Sequence, residues 1–203
     1  MNRNLSIPVY GKMYIISSVV LSLMVFSTSV NPYNLSYVFS STVFELGLWR
    51  PFTAGLYMSR VGILLPFHVV FAVVAFHKMG MMFGDRKADF TWFFILSMCS
   101  LAIFSTFSGL YFYGNSFVML LLTMWAMQHS GDSFAYQSIR IPSIYFPLMY
   151  ATVMILLGSA FKNYMAGFLF GLLLGIIKSR SYVDKYGDLF PTPAFLTNFF
   201  QEG

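Results

Sequence analysis

Long apolar runs, lacking the polar stripe that a water-facing helix needs, alternate along the chain with short polar punctuation. The first runs from about Met13 to Val30, between Lys12 and the Asn31-Pro32 pair that cannot continue a helix. From Tyr33 to Leu56 the pattern changes to Tyr, Phe and Trp mixed with Ser, Asn and Glu45, which predicts a half-embedded loop with amphipathic pieces. Further runs cover about Val61 to Met79, Phe90 to Phe107, Ser116 to Met127, Ile141 to Gly158 and Tyr164 to Ile177. The run from Ser116 is short. The charged turn Phe83–Phe90 separates the second and third runs, and polar residues from His129 to Arg140 separate the fourth and fifth. No internal repeat or low-complexity tract is present.

Composition turns these runs into membrane spans. Of 203 residues, 58% are hydrophobic and 9% charged, with a mean hydropathy of +0.70, whereas soluble domains carry about 25% charged residues. So short a chain cannot hide that much apolar surface from water by folding on itself. Six spans of roughly 20 residues match a bilayer core of about 30 Å and leave only short connections. The expectation is one all-α transmembrane domain over residues 1–203, a six-helix bundle with a short tail from about 178 to 203. The N-terminus lacks a small-residue cleavage site before the first run, so that run reads as a retained span.

The net charge of +5 does not indicate nucleic acid, because the cations flank apolar runs and form no basic stripe. They report topology instead. With the N-terminus inside, Arg3, Lys12, Lys78, Arg86, Lys87, Arg140, Lys178, Arg180 and Lys185 fall on the inner side and only Arg50, Arg60 and Lys162 on the outer. Both termini are therefore expected in the cytosol. The single cysteine, Cys99, lies within an apolar run, which excludes a disulfide framework and a cysteine metal site; no metal and no cofactor is expected.

Candidate chemistry is sparse. The spacing of Gly167, Gly171 and Gly175 puts small residues on one helical face and predicts close helix packing. The stretch Tyr164 to Gly171 also resembles the rhomboid-protease pattern HxxGxxxG, with Tyr164 where the base histidine stands. Gly114-Asn115-Ser116-Phe117 resembles the GxSG that carries a rhomboid's nucleophile, with Phe117 for the second glycine. A phenol with a pKa near 10 is a poor general base at neutral pH, so Ser116 and Tyr164 read as a vestigial pair. His68, His77 and His129 lie on other elements. His68, in mid-span, is expected to make a hydrogen bond between helices.

The loops narrow the resemblance. Gly84 to Phe94, containing Arg86, Asp89 and Phe90, resembles the derlin segment GRTADFxxxF, and Leu48-Trp49-Arg50-Pro51-Phe52-Thr53 resembles the family's WR motif. Gly114 to Phe117 is similar to the derlins' GxAF, and Thr192 to Leu196 to their closing TPxxL. Two departures stand out: Leu172 follows Gly171 where derlins have histidine, and the basic, glycine-rich tail motif is not found through Gly203. The resemblance implies a rhomboid-like pseudoprotease of the endoplasmic reticulum membrane that helps move misfolded luminal or membrane proteins to the cytosol for degradation, through a channel or by thinning the bilayer. It implies as partners the misfolded clients, a ubiquitin ligase complex, membrane lipids, further derlin copies, and a segregase ATPase of the valosin-containing-protein class contacted indirectly. Trp49 and Arg50 are the expected interface with client and lipid, Arg50 offering its fork of donors to phosphate or loop backbone. The competing reading is an active intramembrane protease using Ser116.

Overall fold

The computed structural model describes residues 7–129, 131, 133–136, 139–179, 183–184, 187–188 and 190–201. Arg3, Arg180 and Lys185 of the charge count, and the C-terminal residue Gly203, lie outside them. The described residues form a helical bundle. Three helices are long and apolar enough to cross a membrane: α1 (Val9–Phe26), α5 (Leu64–Phe83) and α6 (Lys87–Ser108). Between α1 and α5 come three short helices, α2 (Pro32–Leu35), α3 (Phe39–Val43) and α4 (Arg50–Leu56). The second half holds α7 (Gly114–Gln128), α8 (Phe146–Leu156), α9 (Phe161–Ile177) and α10 (Ala194–Gln201).

Local chemistry explains most boundaries. Helix α1 stops before Asn31-Pro32 because Ser27 turns its hydroxyl back onto the Met24 carbonyl at 3.1 Å, offering the backbone an alternative to the helix ladder. Asn31 then caps α2 by accepting the Tyr33 amide at 2.9 Å. Gly109, at φ +64°, closes α6 in the left-handed conformation that a side chain disfavours.

Two elements differ from the sequence reading. The expected span Ile141 to Gly158 is shorter as a helix, because Ile139–Pro142 pairs antiparallel with Ser133–Tyr136 and Ser143–Tyr145 forms a single 3-10 turn before α8. The bundle therefore carries a small hairpin, β1 (Ser133–Tyr136) and β2 (Ile139–Pro142), in the connection taken as a plain polar loop. Pro142 closes the strand and Pro147 suits the first turn of α8, where its missing amide costs nothing. The second difference is α10, a helix in the short tail, where the sequence reading expects no element.

Helix α7 is the axle. Every residue from Gly114 to Ala126 is buried, and α9, α5, α8, α4 and α6 all pack on it. Around Phe117 the rings of Tyr14, Phe76 and Phe94 gather with centroids 5.0–6.2 Å away, so three other helices meet α7 in one aromatic cluster.

Candidate functional site

Three places collect the residues that the motifs single out. The first is the seam between α7 and α9, which run parallel with α9's glycine face pressed on α7. A Cβ built on Gly167 would stand 2.1 Å from the Ser116 carbonyl oxygen, one on Gly171 2.6 Å from Thr123 Cβ, and one on Gly175 3.1 Å from Met127 Cβ. Only glycine allows the first two approaches, so the ladder is a packing seam of backbone against backbone.

Ser116 opens this seam from the α7 side. It is fully buried, and its hydroxyl donates to the Asn163 carbonyl of α9 at 2.6 Å. That proton is committed to a backbone acceptor that cannot serve as a base. Tyr164, the next residue, is also buried, and its ring meets Tyr150 of α8 edge-on at 5.4 Å. Tyr150 in turn shares a hydrogen bond of 3.1 Å with His68 Nδ1 of α5, the interhelical contact expected of that histidine. Among the described residues, His68 Nε2 and the Tyr164 hydroxyl have no hydrogen-bond partner. The chain His68–Tyr150–Tyr164 thus links three helices, and none of its members donates to or accepts from Ser116. Phe117, the next residue, packs its buried ring among Tyr14, Phe76 and Phe94 of other helices.

The second place is the loop from α2 to α4. It is fastened to the bundle by Tyr14 and Tyr113, whose hydroxyls donate to the carbonyls of Gly55 and Pro51, and by Tyr37, whose hydroxyl shares a hydrogen bond with Thr106 at 3.0 Å. Trp49 and Arg50 part company here. Trp49 is 57% exposed, whereas Arg50 is only 7% exposed and folded inward. The guanidinium reaches Glu45 at 3.5 Å and lies 5.7 Å above the Tyr33 ring, while Nε and Nη1 have no partner among the described residues. Gly47 makes room for it, since a Cβ there would come within 2.8 Å of Arg50 Nε. Trp49, then, is the residue of the pair that meets the surroundings.

The third place was not read from the sequence as a unit. Arg86 and Asp89, at the start of α6, form an ion pair at 3.8 Å, and Asp89 Oδ1 accepts the Thr192 hydroxyl at 2.6 Å. The Trp92 indole donates to the Phe190 carbonyl at 3.2 Å, and Lys178 Nζ holds both Asp188 oxygens at 2.7 Å and the Phe190 carbonyl at 2.8 Å. Phe90 packs below, against Tyr10 and Phe83. The charged turn and the closing TPAFL segment therefore make one clasp, bordering a cavity of about 520 Å³ lined by both polar and apolar side chains. The available signal was that both segments carry polar residues on the side of the cation excess. At Asp188, burial works to raise the carboxyl pKa, but Lys178 and the Phe190 amide outweigh it and hold the group below its ordinary value. The pair is accordingly intact above the usual carboxylate range and opens only as pH falls through that lowered value. No cluster of three or more metal-ligating side chains occurs among the described residues.

A seam of backbone contact, a loop tied at three tyrosines and a motif-bearing clasp coincide with one family pattern: the model of the Der1-like family matches residues 7–194. The chain belongs to the Der1-like family. It is also 27% identical over 208 aligned positions, covering 98% of this chain and 78% of the relative, to a Dictyostelium discoideum protein described as "Probable derlin-1 homolog". The derlin resemblance read from the WR, GDRKADF and TPAFL segments thus holds over nearly the whole sequence. Der1-like membership associates the chain with the membrane and, at the level of the family, with endoplasmic-reticulum-associated degradation.

Proposed function

We propose that this Der1-like protein is a non-catalytic, six-span component of the endoplasmic reticulum membrane, with both termini cytosolic, that helps misfolded luminal or membrane polypeptides reach the cytosol. The observation that carries the reading is the family match across residues 7–194. The commitment of the Ser116 hydroxyl to Asn163 supports the absence of proteolysis, since a serine nucleophile needs an adjacent base to take its proton. The vestigial pair Ser116 and Tyr164 then serves packing.

Assistance by bilayer thinning draws support from helix lengths. Helix α7 has 15 residues, a rise of roughly 22 Å against a hydrocarbon core of about 30 Å. It is wrapped on all sides, so it meets little lipid itself. The short helices that do expose apolar residues are α8, of 11 residues, with Leu148 and Leu156, and α9, of 17, with Leu169 and Leu173. A bilayer fitted to them thins locally, lowering the barrier to a polar segment. Trp49 anchors the opposite loop at headgroup depth and meets client and lipid, while Arg50, packed inside the loop against Glu45 and Tyr33, holds it in shape. The clasp residues Arg86 and Asp89, supported from beneath by buried Phe90, face the cytosolic machinery, a ubiquitin ligase complex directly and the segregase ATPase through it.

The test is affinity purification of the full chain from mild detergent, paired with pulse-chase of a misfolded luminal client in cells lacking the protein. Slowed clearance and recovery of a ubiquitin ligase are the expected outcome. Normal clearance, with cleaved fragments in place of the ligase, would overturn the proposal in favour of a protease. A glycosylation reporter fused after Gly203 should stay unglycosylated; its modification would overturn the topology.

A further inference from the structure

Helix α10 has a use that the bundle does not exhaust. At about 100° per residue, Phe195, Phe199, Leu196 and Phe200 fall within one arc of roughly 140°, and Thr197, Asn198 and Ala194 occupy the opposite side. The apolar arc is itself divided. Leu196 and Phe200 are half-buried, the Phe200 ring standing edge-on to Tyr10 at 6.4 Å, whereas Phe195 and Phe199 are 67% and 71% exposed. A helix with protein on one flank, bare phenyl rings below and polar residues above has the three-way division that an in-plane interfacial helix requires.

We infer that α10 lies flat in the membrane interface and sinks Phe195 and Phe199 into the boundary between headgroups and acyl chains. Three observations favour lipid as the occupant. Tyr10, which Phe200 touches, sits on α1 between Val9 and Met13, both well exposed and part of that span's apolar surface, so the two phenyl rings extend a lipid-facing surface already present. Lys12, Arg86 and Lys87 are exposed at the same end of the bundle and set cations at the level where anionic headgroups lie. The hydrogen bonds from Thr192 to Asp89 and from Trp92 to Phe190 hold the preceding segment at the start of α6, which fixes the height of α10 relative to the spans. The inference rests on the membrane reading of the bundle.

The experiment uses the full chain with Cys99→Ala, reconstituted in vesicles containing a fraction of phosphatidylserine, with a nitroxide attached in turn to Phe195→Cys, Asn198→Cys, Phe199→Cys and, as a reference on a long apolar span, Ile95→Cys. Collision rates with oxygen, which concentrates in lipid, and with a water-soluble nickel chelate are compared. Labels at 195 and 199 should resemble 95, favouring oxygen several-fold over nickel, while 198 should favour nickel. Labels at 195 and 199 as open to nickel as 198, with 95 still in lipid, would overturn this inference alone. Nickel access at 95 would overturn the membrane reading beneath it. Protection of 195 and 199 from both reagents would mean that a protein surface, a second copy or a partner, covers the helix, and would equally overturn the lipid assignment.

Discussion

The α7–α9 seam and the loop from α2 to α4 use their polar groups in opposite ways. In the seam the Ser116 hydroxyl is spent on the Asn163 carbonyl and glycine brings backbone to backbone, leaving no room for a ligand. In the loop a guanidinium is buried with two donors unused and a tryptophan is left outside. Burying a charge with only part of its donors paired is costly, so a fold built only for stability would not keep Arg50 there. The contrast teaches where to look for work in this fold: where a buried charge keeps donors to spare beside an exposed ring, and not where the Ser116 hydroxyl is spent on backbone.

The largest effect tests the seam. In Gly167→Leu the new side chain must displace the Ser116 carbonyl, a main-chain group that cannot swing away. Overpacking of this kind costs about 1–3 kcal/mol where side chains can adjust, and more against fixed backbone. The variant should be degraded severalfold faster in a translation-block chase. Gly175→Ala is the graded control: its Cβ would meet Met127 Cβ at 3.1 Å, a contact the helices must part slightly to relieve, and the better helix propensity of alanine, about 1 kcal/mol, should offset that so that stability stays close to wild type. Equal loss in both variants would mean that the ladder is not a graded contact.

The loop is broken differently. Arg50→Ala removes the packed stem as well as the charge and should cost about 1–3 kcal/mol. Arg50→Met keeps the stem and deletes the poorly paired charge, a change that is often neutral or stabilising at buried sites. It should hold wild-type abundance while client clearance slows at least twofold. Trp49→Ala, at an exposed ring, should do the same. Wild-type clearance in both at equal abundance would reduce the loop to an anchor and erase the contrast with the seam.

The two regions were also unequally legible. Three glycines spaced by four declare a close contact whatever helix answers it, and the structure supplies that contact on α7. The loop was legible as a stretch of mixed aromatic and polar residues between two apolar runs, but the orientation of Arg50 depends on Gly47, Glu45 and Tyr33, set by turns that no periodicity encodes. The clasp joins Asp89 to Thr192 across 103 positions, a distance over which local patterning is silent. Helix α10 was missed because Pro191 and Pro193 mark its approach as a turn and its eight residues are too few for a periodic pattern to stand out. The hairpin before α8 was missed because the apolar run from Ile141 has the composition of a span, while its first residues pair as a strand.

The smallest expected effect lies within the seam, at the residue that looks most catalytic. Ser116→Ala removes one hydrogen bond to a carbonyl that keeps its own in-helix partner within α9. The loss is about 0.5–1.5 kcal/mol, and client clearance should be unchanged. Nothing beside Ser116 is built to take its proton. General-base assistance contributes typically 10²–10⁴-fold, and the Ser116 hydroxyl is held by a backbone carbonyl instead. Tyr164→His should not restore cleavage, because the Ser116 hydroxyl would still point at Asn163 with Gly167 closed over its carbonyl. Purified protein in liposomes, incubated with a generic rhomboid substrate and a serine-reactive fluorophosphonate, should show neither product nor label. Labelling that disappears in Ser116→Ala, accompanied by product bands, would make the seam the working region and the loop its support, reversing the comparison.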